Sequence, residues 1–87
     1  MPGMTLVLVT FFLYTAPPHR VEQINFAPAD DMAECQAGAN WMDSDENQAE
    51  LLAIGETEFS LCLPMATEVA MKLPPMYYPH SGLASAP

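Results

Sequence analysis

Two cysteines, Cys35 and Cys62, are the residues of this 87-residue chain best suited to covalent chemistry. They enclose a loop of 28 residues, counting both ends. A disulfide there would stabilise the fold by about 3.6 kcal/mol, through the entropy it removes from the unfolded chain. The C-x-x-C spacing of a redox dithiol is absent, which leaves two states open, a structural bridge or a pair of buried or free thiols. "DSDENQAELLAI" starts like a calcium loop, with Asp43, Asp45 and Asn47 at alternating ligand positions. It then places Gln48 where the turn demands Gly and Ile54 where a bidentate Glu is needed. A solvated, acidic helix start is the simpler expectation. His19 and His80 each lack a Cys or His at metal-ligand spacing. No G-x-S-x-G or comparable nucleophile motif occurs. Paired carboxylates abound, but acid–base catalysis needs a pocket that shifts their pKa values, and so short a chain offers little room for one. The chain therefore reads as non-enzymatic, with no catalytic residue, no metal ligand and no cofactor.

Charge is the most distinctive feature. Two basic residues stand against eleven acidic ones, for a net charge of -9. Nucleic-acid binding requires clustered Lys and Arg to neutralise phosphate, and only Arg20 and Lys72 are present. Direct nucleic-acid contact is excluded on that ground, and anionic membrane surfaces are disfavoured. Nine of the eleven acids fall between residues 30 and 58, with no Lys or Arg among them. Such a segment is either a solvated face that aids solubility or a surface that steers the chain onto a basic protein. Asp43, Asp45, Glu46 and Glu50 are its densest part. Trp41 beside them is suited to anchor a contact, as Trp often does at binding hot spots; the alternative is a place in the core.

These residues need elements to position them. "MTLVLVTFFLYTA", residues 4 to 16, offers 13 residues, short of the about 20 that a membrane-spanning helix needs. Its flanks carry no Lys or Arg before the run, and Tyr14 spoils a small-x-small cleavage pattern. Its β-rich composition favours a paired strand over residues 5 to 13, ahead of a secretory signal. "RVEQINF", residues 20 to 26, alternates polar and apolar residues and predicts a second, antiparallel strand. Asp31 as N-cap and Glu34 three residues on predict a helix start, and Met32, Cys35, Ala39 and Met42 share one helical face. Gly38 inside that helix costs about 1 kcal/mol relative to Ala. Residues 43 to 55 predict a short second helix or an extension of the first, ended by Gly55. "ETEFSLCLP" predicts a third strand, with Thr57, Phe59, Leu61 and Leu63 alternating with Glu58, Ser60 and Cys62. A conflict follows: a bridge to Cys35 requires Cys62 to face the helix, yet Cys62 lies on the opposite face from Phe59 and Leu61. "MATEVAMKL" predicts one or two helical turns, with Glu68 and Lys72 at i,i+4 spacing. "PPMYYPHSGLASAP" has the composition of a tail. Its Pro74–Tyr77 matches the P-P-x-Y pattern that WW domains read, for which chance in a Pro-rich tail is the simpler explanation.

The expected architecture is α+β: a small two-layer β-β-α-β domain over residues 1–73, with a three-stranded antiparallel sheet and one main helix. A disordered, Pro-rich tail is expected over residues 74–87.

This layout resembles that of small uncharacterised phage-encoded proteins. The resemblance rests on the opening Leu6–Thr10 strand, a strand ending in an aromatic at Phe26, a helix with Cys35, Ala37 and Ala39, and a strand carrying Cys62-Leu63-Pro64. It covers about residues 4 to 64; "MDSDENQAELLAIGE" and the tail depart from it. It implies a strand at the N-terminus and no assigned activity.

Together these readings lead to a small acidic interaction protein of phage type. It would occlude a basic host protein that handles nucleic acid or serves in defence, as an anti-CRISPR inhibitor does. Asp43, Asp45, Glu46, Glu50 and Trp41 would meet the partner. The chain would act in the cytoplasm, as a monomer or homodimer and without a membrane span. The alternative is a secreted or periplasmic, disulfide-stapled structural or envelope-associated protein.

Overall fold

The computed structural model describes residues 3–79. The order of elements is β1 (Met4–Tyr14), β2 (Val21–Ala29), α1 (Met32–Met42), α2 (Asp45–Ala53), β3 (Glu56–Ala66), α3 (Thr67–Ala70) and β4 (Met76–Tyr77). The fold is α+β, with strand order β3-β1-β2-β4 and antiparallel pairing at every junction. The apolar opening segment is thus an interior strand, paired from Met4↔Ala66 to Tyr14↔Glu56 on one side and with β2 on the other. That position explains why apolar residues occur on both of its faces.

The sheet has four strands rather than the expected three. The fourth comes from the segment expected as tail. Phe26 donates its backbone N–H to the Pro75 carbonyl at 2.9 Å, and Ile24 and Asn25 pair with Tyr77 and Met76. The outer edge of β2 presents unmet backbone groups, and two residues beyond the Pro74-Pro75 pair are enough to meet some of them. Residues 80–87 of the expected tail, His80 included, lie outside the described residues.

Local signals account for the helices. The Asp31 side chain accepts from the Glu34 N–H at 2.8 Å, and Glu34 Oε1 accepts from the Asp30 N–H at 2.7 Å, a reciprocal cap on α1. Ser44 caps α2 by accepting from the Asn47 N–H at 3.3 Å, which makes α2 a separate helix. Gly55 follows α2 with φ +77°, a left-handed conformation that glycine adopts without a Cβ penalty.

A disulfide joins Cys35 and Cys62, with 6.1 Å between their Cα atoms. The conflict over Cys62 is resolved by which face the helices cover. Successive side chains alternate across a strand, so Glu58, Ser60 and Cys62 share a face with Leu8, Thr10 and Phe12. The helices pack there, and Phe59, Leu61 and Leu63 point to the other side. At Gly38 the helix approaches so closely that a Cβ would lie 2.8 Å from Leu8 Cδ2. Thr10 is buried on the same face and shares a 3.0 Å hydrogen bond with Ser60 Oγ.

The second face carries Val7 and Val9, buried with Ala70 of α3, and around them Phe11, Ile24, Phe26, Leu61 and Met65. Among the described residues, only α3 and the strap that follows it, residues 71–75, lie over this face. The thinnest dimension of the molecule is 15 Å, room for a sheet and one helix layer at the usual spacing of about 10 Å. Among the described residues, no helix is long and apolar enough to cross a membrane.

Candidate functional site

The acidic residues singled out by the sequence converge on the junction between α1 and α2. Trp41 lies in the last turn of α1 and is 57% exposed. Asp43 is the C-cap, its backbone N–H donating to the Ala39 carbonyl at 2.9 Å. Asp45 and Glu46 form the first turn of α2, where the helix dipole favours negative charge. Glu50 follows Glu46 by one turn. All four carboxylates are exposed, and no Lys or Arg occurs between residues 21 and 71 to neutralise them.

Gln48 fixes this junction. Its Nε2 donates to the Met42 carbonyl at 3.1 Å and to Glu58 Oε2 at 3.0 Å, and its Oε1 accepts from Thr57 Oγ1 at 3.4 Å. Asn47 Nδ2 adds a bond to the same Met42 carbonyl at 2.8 Å. The residue that defeats a calcium loop thus ties both helices to β3.

Glu58 is the side chain that sequence reasoning missed. It sits on the helix-covered face of β3 and accepts from Ser60 Oγ at 2.6 Å as well as from Gln48. Burial pushes its carboxyl above the ordinary range. A hydrogen bond with the Asp43 carboxyl and the charge there push it further, while Ser60 and Gln48 pull the other way. Asp43 is therefore engaged with Glu58 as well as facing solvent, a role that the sequence reading, with Asp43 only in the steering patch, did not contain. Alternation in "ETEFSLC" was the one signal for it: it put Glu58 on the face of Cys62, the face that a bridge to Cys35 would turn toward the helix. Glu56 is also raised, first by burial and then by the charge of Glu22.

The histidine within the described residues serves the chain locally. His19 adopts a left-handed φ of 59° in the β1–β2 turn, with Nδ1 3.3 Å from the Tyr14 carbonyl oxygen. Among the described residues, no group of three or more His, Cys, Asp or Glu side chains could hold a metal ion. Asp43 and Asp45 stand on either side of a helix cap instead of curling round a common centre.

Comparison with known protein families, with curated proteins and with solved structures gives no match for this chain.

Proposed function

We propose that this chain is a non-enzymatic interaction protein whose acidic α1–α2 corner docks on the basic surface of a larger protein and occludes it. The observation that carries the reading is the exposed Trp41 beside Asp43, Asp45, Glu46 and Glu50, with no cation nearby in sequence to neutralise them. Exposed carboxylates of one sign raise the rate of encounter with a basic surface, and an exposed aromatic supplies the buried contact that slows departure. Grooves that normally hold nucleic acid are basic for the reason this chain is not. A phage-type inhibitor of a nucleic-acid-handling or defence protein fits that chemistry.

A displacement assay tests it. A Cas9-type nuclease, whose guide and target channel is positively charged, is loaded with labelled single-stranded DNA and titrated with the protein while anisotropy is followed. The expected result is release of DNA by the wild-type chain. The variant carrying Asp43→Asn, Asp45→Asn, Glu46→Gln and Glu50→Gln should need at least about tenfold more protein. Equal potency of the two chains would remove the acidic corner from the mechanism.

A second reading, an exported structural protein, draws its support from the Cys35–Cys62 bond, since disulfides persist in oxidising compartments. Intact mass and thiol titration of the protein from its natural source separate the two. Free thiols favour the first reading; a bridged chain that keeps β1 and is found outside the cytoplasm favours the second, since cleavage near residue 16 would remove the interior strand.

A further inference from the structure

The sheet face turned away from α1 and α2 carries one apolar row across all four strands. Phe59 of β3 pairs with Phe11 of β1, Phe11 with Ile24 of β2, and Ile24 with Tyr77 of β4. Directly paired residues point to the same face, so the row is continuous. The Phe11 and Phe59 rings lie 6.2 Å apart, centroid to centroid. Both ends of the row are open: Phe59 is 57% exposed and Tyr77 51%. Leu63 on this face, Val69 of α3 and Met71 of the strap are exposed as well. Soluble chains rarely leave a large contiguous apolar patch open without a use for it.

We propose that this open face binds a second copy of the same chain, giving a two-fold dimer with the two sheets packed face to face. The distribution of charge selects that occupant. The nine acids of residues 30–58 belong to the helix layer, its caps and the helix-facing positions of β3. On the open side, α3 and the strap bring one charge of each sign, Glu68 and Lys72, and Glu22 lies two residues before Ile24 at the irregularity in β2, so this side carries far less charge than the helix layer. A basic partner finds little to recognise there, whereas a second copy presents an equally apolar surface of equally low charge. In such a dimer the acidic layers lie outermost, roughly 30 Å apart with about 10 Å between successive layers. That is several Debye lengths at physiological ionic strength, about 8 Å each, so the net charge of -9 per chain does not oppose this contact.

The dimensions fit a weak, concentration-dependent dimer. β1 and β3 have eleven residues each. At about 3.3 Å per residue and about 4.8 Å between strands, the whole face covers roughly 500 Å² before side-chain relief is counted, and α3 with the strap already covers the part over Val7 and Val9. A stable dimer buries about 800 Å² per partner. The Phe11–Phe59 pair would lie within the contact, with Glu68 of one protomer able to meet Lys72 of its partner at the rim.

Sedimentation equilibrium of the full chain, from micromolar to near-millimolar concentration, tests the proposal. The expected result is a reversible shift from the 9.5 kDa protomer to twice that mass. Phe59→Glu should weaken the dimer at least about tenfold with an unchanged circular dichroism spectrum. Leu63→Glu, at a second exposed position of the same face, is read if Phe59→Glu does not fold. Trp41→Ala, on the helix layer, should leave the dimer intact. A monomer at every concentration would overturn the proposal. So would a dimer that survives a folded Phe59→Glu or Leu63→Glu variant, or one that Trp41→Ala dissolves.

Discussion

Glu58 is the side chain whose ionisation the fold controls most directly. Its carboxyl is raised above the ordinary 4.5 by burial and by Asp43. A carboxyl with a higher pKa in the folded state binds its proton more tightly there than in the unfolded chain. Its contribution to stability is full below 4.5 and is lost as pH climbs from 4.5 through the raised value. Glu58→Gln keeps an acceptor for Ser60 and offers Asp43 a permanent N–H donor. The variant should therefore lose less stability than wild type between pH 4.5 and 7, as urea unfolding at each pH would show. A steeper loss in the variant would contradict the carboxyl pairing. Gly38 is the other residue whose type the packing decides. Ala would bring the helix about 1 kcal/mol of propensity but set a Cβ 2.8 Å from Leu8 Cδ2. Gly38→Ala should leave the melting temperature nearly unchanged because the two effects offset. Gly38→Leu should cost about 1–3 kcal/mol by overpacking.

At the scale of elements, the Cys35–Cys62 bond holds α1 to the β3 edge of the sheet. Replacing both cysteines with Ala should lower unfolding free energy by about 2–4 kcal/mol, and adding reductant to that variant should change nothing further. β4 is short, yet it sets Tyr77 beside Ile24, and the Pro75 carbonyl just before it accepts from the Phe26 N–H. A chain ending at Leu73 should lose about 1–2 kcal/mol; unchanged stability would show that the strand contributes nothing. These elements also mark what the sequence could convey. Strands and helices with their own composition, periodicity or caps were legible: the strand over residues 5 to 13, the Asp31/Glu34 cap, the Gly55 stop and the helical turn after Ala66. Alternation in β3 said which residues share a face but not which face meets the helices, since that depends on Cys35 arriving from elsewhere in the chain. β4 was illegible because two residues carry no period, and its pairing with Ile24 and Asn25 bridges some fifty positions. At the site, the grouping of the four acids followed the sequence, whereas the exposure of Trp41, which the sequence left open against a place in the core, and the Asp43–Glu58 contact needed the tertiary fold.

The whole molecule separates charge from apolar surface. The helix layer carries nearly all the acid, and the opposite sheet face carries the Phe59–Phe11–Ile24–Tyr77 row. The two surfaces can act at once, the row between copies and the acidic corner toward a basic protein. The claim on which the functional account depends is that the corner acts by steering. Exposed charges change association rates more than dissociation rates, and salt screens them. The most direct measurement is the stopped-flow association rate with the basic nuclease at low and at physiological salt, for the wild type and the four-carboxylate variant. The account predicts a wild-type rate that falls steeply with salt. It predicts a variant that associates about tenfold or more slowly at low salt, with a nearly flat salt dependence and a dissociation rate close to wild type. Equal association rates for the two chains at both salt concentrations would contradict it.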